Sequence, residues 1–97
     1  MTAKGYWIGH VDVSNADEYP GYMKAAQPAY EKYGAKFLVR GGRHEPVEGA
    51  ARARHVVVEF ESYDQALACY NSPEYAAARK IRQANAESEI IIVEGAG

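Results

Sequence analysis

Two strand-like segments, KFLVRGGRHEPV and HVVVEFE, follow each other with no helical stretch between them, while a helix-periodic segment separates each from its outer strand-like neighbour. That order limits the chain to few folds, because paired neighbours form a hairpin and the outer strands must return across a helix. Ahead of the first helical segment, Gly5 to Val13 alternates, with Trp7 and Val11 on one face and Tyr6, Ile8, His10 and Asp12 on the other. Tyr19, Tyr22, Met23, Ala26, Tyr30 and Tyr33 then recur at steps of three and four before Gly34, which reads as a helix C-cap. Pro20 suits the first turn of that helix, and Pro28 predicts a kink inside it. The hairpin is expected to run from Lys36 toward Val47, turn around Gly49 to Ala51, and return over His55 to Glu61. Ser62 with Gln65 forms a capping box for a helix carrying Ala66, Leu67 and Tyr70. Asn71, Ser72 and Pro73 break that helix and restart it, with Ser72 as N-cap, toward about Ala86; SEIIIVEG supplies the last strand.

Strand, helix, strand, strand, helix, strand is the split βαβ order of α+β ferredoxin-like domains, here one domain over residues 1–97. Right-handed crossovers place both helices on one face of a four-stranded antiparallel sheet, with the first and third strands central. The other face is left bare. Val56, Val57 and Val58, and the IIIV run of the last strand, are apolar in both phases, so that face is expected to be covered by a second subunit. A net charge of −2 lacks the basic excess that binding to a phosphate backbone uses, which argues against nucleic acid. No apolar stretch approaches the ~20 residues of a membrane span. The single cysteine, Cys69, has no partner for an intrachain disulfide, and the start MTAKGYWIGHVDV has no apolar core of a signal peptide, so a cytoplasmic setting is expected.

The strings KGYWIGHVDV, YEKYGAKFLVRGG, VVVEFESYDQALACYNSPEY and IIIVEG resemble, in order and over nearly the whole chain, the domain of unknown function 1330 family of the dimeric α+β barrel superfamily. The resemblance implies two ferredoxin-like subunits that join their sheets into a barrel, with a ligand cavity between helices and sheet in each. The superfamily includes cofactor-independent monooxygenases, haem-degrading enzymes and small-molecule isomerases. This family carries no assigned reaction. The chain departs from it at ACYNSPEY, where Cys69 stands in place of the family's usual tryptophan, which bears on the shape of a cavity near Tyr70.

Arg40 interrupts an apolar strand in phase with Leu38, and Gly41 and Gly42 follow it. A tight turn at Gly49 to Ala51 predicts Arg40 opposite Glu59 and His44 opposite His55, with Val39 opposite Phe60, a register that pairs opposite charges and apolar side chains. Arg40 and Glu59 then form either a structural ion pair or part of a ligand site, in which the forked donors of Arg40 hold a substrate carboxylate or enolate oxygen. His10 is the natural proton carrier if it shares that cavity. Tyr22, Tyr75 and Arg79 are further ligand-binding candidates, the last two on one helix row with Arg82. His10, His44 and His55 have no metal-ligand spacing, and neither a GxSxG elbow nor a phosphate loop is present, so neither metal nor cofactor is expected. The functional expectation is a dimeric small-molecule-binding protein, as a cofactor-free enzyme moving a proton on a small polar or anionic substrate; the alternative is a non-catalytic ligand-binding or structural dimer.

Overall fold

A computed structural model describes residues 3–97. The elements are β1 (Gly5–Val13), α1 (Tyr19–Tyr33), β2 (Lys36–Arg40), β3 (Arg54–Phe60), α2 (Tyr63–Tyr70), α3 (Pro73–Asn85) and β4 (Ala86–Glu94). The strands form one antiparallel sheet in the order β2-β3-β1-β4, so the first and third strands are central, as the crossover rule requires.

The helix boundaries follow local chemistry. Gly34 ends α1 in the left-handed region at φ 68°, and the chain turns there with the Ala35 N–H donating to the Tyr30 carbonyl. Pro20 lies in the first turn of α1, and the helix continues through Pro28, whose side chain is exposed. Ser62 accepts from the Gln65 N–H at 3.0 Å and caps α2. Ser72 accepts from the Tyr75 N–H at 3.2 Å while donating to the Cys69 carbonyl at 2.7 Å. One hydroxyl thus closes α2 and opens α3, with Pro73 at the start of the new helix.

The sheet face toward the helices carries Trp7 and Val11 of β1 with Val58 and Phe60 of β3, all buried. Trp7 is the centre of the core. Its ring lies 5.1 Å from Phe60 and 5.0 Å from Tyr75, and its Nε1–H donates to the Ala66 carbonyl at 2.8 Å, so the one polar atom of the indole is satisfied. Cys69 is fully buried between α2 and α1 with its sulfur 3.7 Å from the Ala29 carbonyl, and it does not line the main cavity. Burial, and secondarily Glu74, push its thiol up to about 12.

The β2–β3 pairing departs from the sequence expectation. β2 stops at Arg40, and residues 41–53 form an exposed connection in place of a tight turn. Lys36 faces Glu59 and Phe37 faces Val58; an irregularity at Leu38 then shifts the ladder, so Val39 faces Val57 and Arg40 faces Val56. The expected Arg40–Glu59 pair is therefore absent. Glu59 instead accepts from the Tyr6 hydroxyl at 3.0 Å on the face away from the helices. The expected turn assumed equal strand lengths about Gly49 to Ala51, whereas the long connection removes that constraint.

Candidate functional site

A cavity of about 40 Å³ lies between the helices and the sheet. A single water needs ~10–15 Å³ on the same measure, so the space admits several waters or a compact organic group. The sheet contributes Gly9, Val56 and Val58 to its floor, and Trp7, Tyr22, Tyr30 and Phe37 form an aromatic wall. Arg40, Arg54 and Arg82 also line it, and no aspartate or glutamate does.

Each arginine reaches the cavity for a local reason. The shift at Leu38 turns Arg40 to the face of Phe37, and its guanidinium lies 4.1 Å from that ring. Arg40 is exposed, which places it at the cavity mouth. Arg54 starts β3 in phase with Val56, Val58 and Phe60, the face that meets the helices. Arg82 follows Tyr75 and Ala78 on the buried row of α3 and is only 3% exposed.

Among the described residues, none of these arginines forms an ion pair with a carboxylate. Arg82 donates through Nη1 to the Tyr75 hydroxyl at 2.6 Å and through Nη2 to the Tyr70 hydroxyl at 3.3 Å. The Tyr75 hydroxyl lies 2.6 Å from that of Tyr22, which in turn lies 3.1 Å from that of Tyr30. Burial first, and then Tyr22, push the phenols of Tyr30 and Tyr75 far above the ordinary tyrosine range, so both are neutral and neither cancels the arginine charge. Burial opposes the charge on Arg82, but the surrounding tyrosine oxygens outweigh it and the guanidinium stays protonated.

Tyr22 and Arg40 line the cavity, as residues read from the sequence as ligand contacts would have to. Tyr75 lies behind the Tyr22 wall, fully buried, and Arg79 stacks over Tyr70 at 5.2 Å outside the cavity. Glu59 and His10 are on the opposite face of the sheet. His10 and Arg40 thus do not share a cavity, because they fall in opposite phases of strands in one sheet. His10 instead sits with its Nδ1 2.8 Å from that of its cross-strand neighbour His55, whose ring lies 4.6 Å from that of His44. Among the described residues no group of three or more His, Cys, Asp or Glu side chains is arranged to hold a metal ion. Arg54 was missed as a site residue, and Arg82 was read from the sequence as a flank with Tyr75 and Arg79 at the mouth of an anionic site, whereas it is buried. The signal for both was phase, since each shares the row of its element's buried apolar side chains.

Residues 4–96 match the family described as domain of unknown function DUF1330. The chain belongs to that family. A protein of unknown function from Rhodopseudomonas palustris has the same fold, with a TM-score of 0.80 at 19% identity over 100% of this DUF1330 chain and 85% of that one. SnoaB, a cofactor-independent oxygenase from Streptomyces nogalater, is similar with a TM-score of 0.64 at 12% identity, covering 95% of this chain and 92% of that one. A dimeric protein of unknown function and ferredoxin-like fold from Bacteroides fragilis is similar with a TM-score of 0.56 at 19% identity, covering 94% and 95%. Such identities establish the shared fold. No curated protein matches the sequence.

Proposed function

We propose that this DUF1330 chain is a homodimeric small-molecule-binding protein whose ligand, small and polar or anionic, occupies the cavity between helices and sheet. The observation that carries this reading is the set of arginines at an aromatic cavity with no carboxylate among its lining residues. An unpaired cation removed from water costs several kcal/mol, and a ligand anion is the missing counter-charge. The reading extends to cofactor-free chemistry on a small polar or anionic substrate: guanidinium donors stabilise an enolate or carboxylate oxygen, and the Tyr75–Tyr22–Tyr30 hydroxyls add neutral hydrogen-bond donors beside it. The shared fold of SnoaB, described as a cofactor-independent oxygenase, supports the cofactor-free version of this reading. The narrowness of the cavity favours the alternative of a dimer with a structural interior.

A metabolite screen by thermal shift separates the two, because a ligand that binds only the folded state raises its melting temperature by mass action. Small organic acids are expected to shift the wild type, and Arg40→Ala, altered at the exposed mouth, is expected to reduce that shift while unfolding at an unchanged temperature without ligand. A screen in which no small molecule shifts the wild type leaves only the structural dimer.

A further inference from the structure

The polar groups left without partners around the cavity have one chemical character. Nε of Arg82 and Nε of Arg54 are both buried and have no hydrogen-bond partner among the described residues. Guanidinium nitrogens only donate, so both await an acceptor. The phenol chain adds to this. Arg82 must donate to Tyr75, and a hydroxyl whose oxygen receives a cationic donor becomes a better donor itself. The Tyr75 hydrogen is then directed to Tyr22. The hydrogens of Tyr22 and Tyr30 remain for the single contact between them, which leaves one further free donor on a cavity-lining tyrosine.

The floor of the cavity carries no side chain at Gly9. Gly9 of β1 is buried between Trp7 and Val11 and supplies no side chain to the cavity. A Cβ added at Gly9 meets only Ile90 Cγ1, at 3.6 Å, an ordinary contact. The sheet at this position therefore tolerates a methyl group sterically, and glycine keeps the space open.

We propose that the cavity takes a compact, flat monocarboxylate, its carboxylate received by Arg54 and Arg82 and its unsaturated body lying over Gly9 against the aromatic wall. This rests on the reading of the cavity as the ligand site and adds the class of ligand and the residues that hold its head. A neutral amide of the same shape presents one acceptor and two donors to a site with free donors, so it leaves a guanidinium unsatisfied. A saturated, bulkier acid keeps the charge but not the flatness.

The experiment uses crotonate and crotonamide, which differ in charge and little in shape, titrated by calorimetry into the wild type, Arg82→Met, Arg54→Met and Gly9→Ala. Arg54→Met is altered at a partly exposed strand start, so it supplies a folded variant if Arg82→Met does not fold. Crotonate is expected to bind the wild type saturably. Crotonamide, and crotonate with either arginine variant, are expected to bind roughly tenfold or more weakly, as loss of a charge-assisted pair implies. Gly9→Ala is expected to weaken both compounds by filling the floor. Crotonamide binding as well as crotonate, with Gly9→Ala weakening both, overturns the carboxylate assignment and leaves the cavity as a ligand site. Binding of neither compound, or binding that Gly9→Ala does not alter, overturns the assignment and the cavity reading together.

Discussion

Gly41 shows how one missing side chain positions the site. Its φ of 68° lies in the left-handed region, and its N–H donates to the His55 carbonyl at 2.9 Å, which bends the chain away from β3 after Arg40. A Cβ at this position collides with Nη1 of Arg54. The sequence raised the question of why glycines follow Arg40; at Gly41 the room is for a guanidinium, and it is that of Arg54. Gly41→Ala is expected to destabilise by about 1–2 kcal/mol from the left-handed backbone alone, with more from displacement of Arg54. Urea denaturation measures the loss. An unchanged midpoint means that neither the conformation nor the contact constrains this residue. The same variant is expected to weaken crotonate binding, because Arg54 no longer lies where the carboxylate is received.

At the scale of elements, the long connection over residues 41–53 is tied down just before β3. Arg52 donates through Nη1 to Asp12 at 2.9 Å and through Nε and Nη2 to both oxygens of Glu89, each at 2.6 Å; the Ala53 N–H donates to Asp12 at 2.8 Å. This bridges the entry of β3 to β1 and β4 on the face away from the helices. The Ala53 N–H first, and then Arg52, hold the Asp12 carboxyl below the usual aspartate range against the opposing effect of burial. Arg52 does the same for Glu89. Because both folded values lie below the unfolded ones of about 3.9 and 4.3, their contribution is complete above those values and is lost as pH falls through the folded ones. In an NMR titration the Ala53 amide is expected to follow Asp12 with a midpoint below about 3.9, and Arg52→Ala is expected to move it upward. A midpoint at or above the ordinary aspartate value contradicts the tie. These elements also divide what was legible in the sequence from what was not. Ser62, Ser72 and Pro73 set boundaries through contacts within three residues, so spacing alone revealed them. The β2–β3 register depends on where a long connection is anchored, by Asp12 and Glu89 far away in sequence, and on an irregularity at Leu38. The Arg40–Glu59 pair is already lost where Lys36 faces Glu59, and the one-residue slip at Leu38 then turns Arg40 to the cavity face, so the missed pair and the place of Arg40 have separate causes in the same strand.

The molecule as a whole has one sheet face covered by helices and one without cover in the monomer. Across that second face Val39 pairs with Val57, Val57 with Ile8, and Ile8 with Ile91, an apolar row running through all four strands. Ile91 is 56% exposed and Val39 40%. The adjacent rows are mostly polar, with Lys36, Glu59 and Tyr6 beside the exposed Val93 on one side and His55, His10 and Glu89 on the other. An apolar centre with a polar rim is the anatomy of a protein interface, and burial of such a row by a second copy removes several large side chains from water at roughly 25 cal/mol per Å². Sedimentation at micromolar concentration is expected to give twice the chain mass of 10.7 kDa. Ile91→Lys places a charge in the centre of the row at a side chain that is mostly exposed in the monomer, so it is expected to shift the equilibrium to monomer by tenfold or more, roughly 1.4 kcal/mol or above, with the circular dichroism of the fold retained. A wild type that sediments only as monomer removes the dimer altogether. A dimer that persists unchanged in Ile91→Lys moves the interface to another surface, and the apolar row would then need a different occupant.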